Sequence, residues 1–103
     1  MAKYLFVYVG GDQGSEDTDY SAVTNAWITW FGGLGDAVLD PGNPAGASSA
    51  VASDGSIIGA TSGVGGYSVI SAPSLTAALE IAKGCPHLDA NGTVEVYETF
   101  DVM

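Results

Sequence analysis

The chain has 103 residues, 47% of them hydrophobic, with one cysteine and a formal net charge of −10 from 12 acids against two lysines. Its length predicts one domain over residues 1–103 with a modest core, and its apolar content excludes a disordered segment. Its charge excludes nucleic acid and anionic membrane as partners, because phosphate neutralisation needs a basic footprint, and favours solubility.

Residues 3–9, KYLFVYV, predict a first strand, with Tyr4, Phe6 and Tyr8 on one face and Leu5, Val7 and Val9 on the other. Both faces are apolar, so the strand needs cover on both sides. The polar, glycine-rich stretch from Gly10 to Asp19 then leads into a helix, with Asp17 and Asp19 as charges suited to the positive end of its dipole. Val23, Ala26, Trp27, Trp30, Phe31 and Leu34 share one helical face, and Gly32, Gly33 and Gly35 are expected to end it. A short strand, Ala37 to Leu39, and a turn at 40–44, DPGNP, follow.

Between residues 46 and 61 two modest runs flank Ser53-Asp54-Gly55, a hairpin signal. Gly59 to Gly66 is expected as loop, and Tyr67 to Ala72 as a strand. Pro73 and Ser74 open a second helix, with Ser74 as its cap and Leu75, Ala78, Leu79 and Ala82 as its apolar stripe. Gly84 and Pro86 stop it. Residues 93–100 give the last strand, with Val94 and Val96 on one face and Glu95 and Tyr97 on the other. Glu95 and Glu98 suit an edge that resists aggregation. The order is β-α-β-(hairpin)-β-α-β: an α+β, ferredoxin-like βαββαβ arrangement with an inserted hairpin and an antiparallel sheet, both helices on one face. A second copy of the chain is the simplest cover for the other face, so a homodimer is expected.

GGYSVISAPSLTAALEIAKGCP followed by GTVEVYE resembles the YCII-related family. The KYLFVY-like first strand, the Trp-rich helix ending in a Leu-Gly pair and the Gly-Asn-Pro turn agree with it. The resemblance covers nearly the whole chain and implies a dimeric α+β barrel in which two sheets pack face to face. Relatives of the founding member carry a histidine on the first helix near an aspartate, as an acid–base pair; here Asp19 to Phe31 holds no histidine. A second branch carries Asp-Gly-Pro-Phe, whose nearest counterpart here is Asp54-Gly55-Ser56-Ile57.

The only cysteine, Cys85, and the only histidine, His87, lie two apart in KGCPHL. They invite a thiolate–imidazole pair or half a metal site. Catalytic Cys–His pairs are usually brought together by the fold rather than by closeness in sequence, and zinc wants about four such ligands. The preferred reading is a helix-to-strand connection with Cys85 buried, Pro86 breaking the helix and His87 partly exposed. No metal and no cofactor are expected. The candidate ligand-binding side chains are Tyr8, Asp12, Trp27, Trp30, Tyr67 and His87. Trp27 and Trp30 would wall a pocket or form core. Tyr8 and Tyr67 lie on strands that the family topology makes neighbours; they would offer phenols to a ligand or pack at the dimer interface. Asp12 stands just past the first strand, where the family's cleft opens, and would serve as a base if burial raised its pKa. Asn43 is a turn former. GATSGVGG at 59–66 lacks the Gly-Lys-Ser/Thr of a phosphate loop and precedes a strand. Asn91-Gly92-Thr93 matches a glycosylation sequon, which carries no meaning in a cytoplasmic protein.

A lone cysteine fits a reducing cytoplasm. The Tyr4–Val9 run is too short for a secretion-signal core, and nothing approaches the roughly 18 apolar residues of a membrane helix. The chain is therefore expected to be cytoplasmic. The leading function is a YCII-like dimer binding a small metabolite in a cleft between sheet and helix. The alternatives are a lyase or isomerase acting on small cyclic or aromatic metabolites through Asp12, Tyr8 or His87, with catalytic residues open, and a regulatory or assembly module.

Overall fold

The structure, a computed structural model, describes residues 1–12 and 19–102. Asp17 lies outside the described residues. Strand β1 is Ala2–Gly10, helix α1 is Tyr20–Leu34, and β2 is Val38–Asp40. A small hairpin pairs β3, Ala50–Val51, with β4, Ile57–Ile58. Strand β5 is Val64–Ala72, helix α2 is Leu75–Ala82, and β6 is Gly92–Thr99. The main sheet runs β2-β5-β1-β6 with every neighbour antiparallel. This is the expected α+β, ferredoxin-like order with the hairpin inserted between β2 and β5.

The face of β1 that meets the helices is the aromatic one. Tyr4, Phe6 and Tyr8 are buried, joined by Ile70 and Ala72 from β5, Ala78 and Ala82 from α2, and Cys85. Phe6 stands opposite Ser68 on one side and Val96 on the other. The second face carries Leu5, Val7 and Val9, half-buried, beside exposed Tyr67 and Tyr97. The described residues fill a slab of 44 × 44 × 18 Å.

Five local expectations need correction. Helix α1 runs through Gly32 and Gly33, both exposed, and ends only at Gly35 with φ 57°. A glycine weakens a helix, but a left-handed residue that sends its N–H back to the last turn stops it; Gly35 N–H reaches the Phe31 carbonyl. The front of the predicted α1 stripe stands off the sheet: Val23 and Ala26 are exposed, while Trp27, Trp30, Phe31 and Leu34 are half-buried.

On α2 the inward face is Ala77, Ala78, Ile81 and Ala82, with Leu75 and Leu79 on its half-exposed flank. Alanines let the helix settle close to the sheet, which rotates the leucines out. Strand β5 begins at Val64 rather than Tyr67, because Val64 pairs with Val9 and Gly66 with Tyr8; Gly65 between them is the extra residue at which the register slips. The second strand is Val38–Asp40, after a 3-10 turn at Gly35–Ala37.

The caps follow sequence. Asp19 Oδ1 accepts from Ala22 N–H at 3.1 Å and Ser74 Oγ from Ala77 N–H at 3.1 Å, each meeting a donor that the first helical turn leaves free. The hairpin turns at Gly55, φ 88°, with Asp54 Oδ1 accepting from Ser56 N–H at 2.9 Å and from Ser56 Oγ at 2.7 Å. Those bonds, the side-chain one foremost, hold the Asp54 carboxyl below the usual range. No helix among the described residues is long and apolar enough to cross a membrane.

Candidate functional site

Between the end of α1, the β2–β3 connection and the start of β5 lies a cavity of about 370 Å³. Tyr8, Trp27, Phe31 and His87 wall it, with residues 41–44, Gly65, Gly66 and Tyr67 along the other side. Of the six candidates, Tyr8, Trp27, Tyr67 and His87 come together here. Asp12 and Trp30 do not.

The aromatic wall follows from α1 docking through its last two turns. Trp27 sits 4.9 Å from Tyr8, ring centre to ring centre, with the planes at 76°. Phe31, one turn on, lies 5.8 Å from Trp27. Trp30 turns the other way, 6.4 Å from the Phe6 ring and against Gly84, so it belongs to the core and leaves the cavity unfilled.

Tyr8 Oη donates to Ser68 Oγ at 2.7 Å, and Ser68 Oγ lies 2.7 Å from the Pro41 carbonyl. The carbonyl only accepts, and a serine has one proton, so the direction is fixed: Tyr8 to Ser68 to Pro41. The chain ties β1, β5 and the β2–β3 connection together and aims the phenolic proton away from the cavity. Burial pushes the Tyr8 phenol up to about 12.

The turn at 41–44 is equally constrained. Asp40 Oδ1 accepts from Gly42 N–H at 2.8 Å. Gly42 has φ 73°, and a Cβ there would collide with the Tyr67 carbonyl. The Asn43 carbonyl accepts from Tyr67 N–H at 3.3 Å, and Asn43 Nδ2 donates to Tyr67 Oη at 3.4 Å. Asn43 is thus more than a turn former.

His87 and Cys85 part company because a 3-10 turn begins between them, at Pro86. Cys85 precedes the 3-10 turn Pro86–Ala90 and is only 2% exposed. Burial pushes its thiol up to about 11, partly offset by the His87 backbone N–H, so it stays protonated and unreactive at neutral pH. His87 is half-buried and tilts against Tyr8 at 5.8 Å. Its Nε2 lies 3.0 Å from the Val9 carbonyl, so Nε2 carries a proton, and in the neutral ring Nδ1 is the acceptor. The ring fits because two glycines give way to it. A Cβ on Gly92 would overlap the imidazole, and one on Gly11 would stand 2.7 Å from Cε1.

Asp12 binds the same turn from outside, its N–H on the Ala90 carbonyl at 2.7 Å and its Oδ2 taking Asn91 Nδ2 at 2.8 Å. Asn91, at φ 61°, ends the turn in a left-handed conformation. Among the described residues no three His, Cys, Asp or Glu side chains cluster as metal ligands.

Sequence reasoning missed Phe31 as a wall, the 41–44 turn as a rim, and Ser68. The signal for Ser68 was present: a serine at the core parity of a strand, on the side of Ile70 and Ala72.

An α+β protein of ferredoxin-like topology with an aromatic cavity at one end of its sheet is the class that these observations define. The family model for the YCII-related domain matches residues 20–102, and the chain belongs to that family. A search of curated proteins returned no match to the chain.

Two predictions follow from the buried groups. Replacing Ser68 by Ala strands the Tyr8 hydroxyl and should lower unfolding free energy by about 1–3 kcal/mol. Adding Tyr8→Phe should recover part of that loss, read from urea midpoints of the two single variants and the double. The second concerns alkali. Both the Tyr8 phenol and the Cys85 thiol have folded pKa values raised above their ordinary 10.0 and 9.0. Their stabilisation is therefore intact below about pH 9 and lost as pH rises through about 11 to 12. Melting temperature followed from pH 8 to 12 should fall in that window, and Cys85→Ala should flatten its lower part.

Proposed function

We propose that this YCII-related chain binds a small metabolite in the Tyr8–Trp27–Phe31–His87 cavity, and that it works as a homodimer. The observation carrying the binding reading is the cavity itself. Its size is at the lower end of the range of small-molecule sites, about 300–1,000 Å³, and it combines apolar walls with a few oriented polar groups. Its rim is held by hydrogen bonds from three separate segments. A cavity already fixed in shape needs little ordering when a ligand enters.

An acid–base enzyme is supported less well. Asp12 is occupied outside the cavity, and Tyr8 keeps its proton and directs it to Ser68. That chemistry would rest on His87 Nδ1 alone.

The test follows the indole N–H signals of the two tryptophans during a screen of small metabolites of every charge. A bound metabolite should shift Trp27, leave Trp30 nearly still and raise the melting temperature. If no compound at millimolar concentration moved Trp27, the binding reading would be wrong.

For the dimer, the support is the second sheet face, where Leu5, Val7 and Val9 run between Tyr67 and Tyr97. Val7 stands opposite Tyr67 on one side and Glu95 on the other. Native mass spectrometry should give a dimer for the unaltered chain. Val7→Glu sets two carboxylates opposite each other on that face and should shift the population to monomer with the circular dichroism unchanged. A monomer from the unaltered chain would refute the dimer.

A further inference from the structure

Within the proposed binding site, the donor inventory discriminates between kinds of ligand. The chain has two cationic side chains, Lys3 and Lys83, and neither lines the cavity. Lys83 lies 2.8 Å from Glu80 on the exposed side of α2. The strongest neutral donors of the lining are already committed: Tyr8 O–H to Ser68, His87 Nε2–H to Val9, Gly42 N–H to Asp40 and Tyr67 N–H to Asn43. Pro41 and Pro44 have no N–H. Among the described residues, the side-chain donors of the lining left without a partner are the Trp27 indole N–H, the Tyr67 hydroxyl proton and the second amide hydrogen of Asn43.

An anion entering here would shed its water without meeting a lysine or an arginine, in a chain of formal net charge −10. A cation meets the opposite setting. Tyr8 and Trp27 pack edge to face with their planes at 76°, Phe31 lies 5.8 Å from Trp27, and all three rings line the cavity. Ring faces attract a cation within about 6 Å, most strongly when water is excluded, and aromatic cages recognise alkylammonium groups in this way. The Asp40 carboxylate is held against the lining residue Gly42, adding negative potential at the rim.

We infer that the cavity takes a compact organic cation, a quaternary or protonated alkylamine seated against Tyr8, Trp27 and Phe31. This inference rests on the binding reading above and goes further by naming the chemical class.

Three probes of one size class separate the possibilities: benzyltrimethylammonium, its neutral carbon twin neopentylbenzene, and the anion phenylacetate. Each is titrated into the full chain while the Trp27 and Trp30 indole signals are followed, with Trp30→Phe assigning the pair. The cation should shift Trp27 and bind about tenfold or more tightly than neopentylbenzene, with phenylacetate weaker still. Trp27→Leu should weaken the cation about tenfold, and Phe31→Leu by a smaller factor, each with its fold checked by circular dichroism. Binding of neopentylbenzene or phenylacetate as tight as the cation's would overturn the inference while leaving a ligand site in place. If none of the three bound, the inference would fall, and the metabolite screen would decide the wider reading by itself.

Discussion

Strand β1 is the constraint on which the rest depends. It pairs along nearly its whole length with β5 on one side and β6 on the other, so its backbone groups are satisfied without help from solvent. Its residues are then free to be apolar on both faces. The aromatic face, Tyr4, Phe6 and Tyr8, fixes where the helices settle. Because α2 meets it with alanines, that helix lies close; because α1 meets it with Trp27 and Trp30, that helix stands off. The cavity occupies the space this difference leaves beside Tyr8. A site formed by unequal helix heights does not need a loop to close over it.

The Tyr8–Ser68–Pro41 chain keeps that space from collapsing. An apolar hollow of this size next to a flexible turn would ordinarily be filled by the turn itself, since close packing is the default of protein interiors. Here the turn is pinned at Pro41 by Ser68, at Gly42 by Asp40 and at Asn43 by Tyr67. Two of these bonds come from adjacent residues of β5 and the third from the end of β2. Their directions also consume the donors nearest the cavity, so the same contacts that hold it open set its electrostatic character. Stability and the polarity of the cavity share atoms here, and a substitution such as Ser68→Ala acts on both.

Much of the fold was legible in the sequence because its signals are local. Alternation in KYLFVYV, the serine before Leu75, the Asp-Gly turn and the 3.6-residue spacing of Trp27, Trp30 and Phe31 each determine a nearby backbone state. What escaped were decisions taken across the chain. Nothing in LTAALEIA says that alanines rather than leucines will face the sheet; the depth of the seat decides, and the sheet sets that depth. Nothing near Gly65-Gly66 says strand, because the pairing partner is Tyr8. The aromatic side of the site could be guessed, since large rings on a helix face must pack somewhere. Its rim could not, since Pro41, Gly42 and Asn43 look like any turn until Tyr67 and Ser68 are beside them.

KGCPHL shows the same limit from the other direction. The break at Pro86 starts a new turn between Cys85 and His87, and the thiol goes into the core. Local geometry cannot say what receives the imidazole. That depends on Gly11 and Gly92, the latter directly opposite Gly10 at the end of the β1–β6 ladder, and on the Val9 carbonyl between them. By composition these glycines are ordinary punctuation at strand ends. In space they are the vacated volume of one side chain, and filling either would expel His87 from the wall it forms with Tyr8. A histidine placed by the absence of side chains elsewhere leaves no motif, and only the three-dimensional register shows why the lone histidine of this chain stands in the cavity wall.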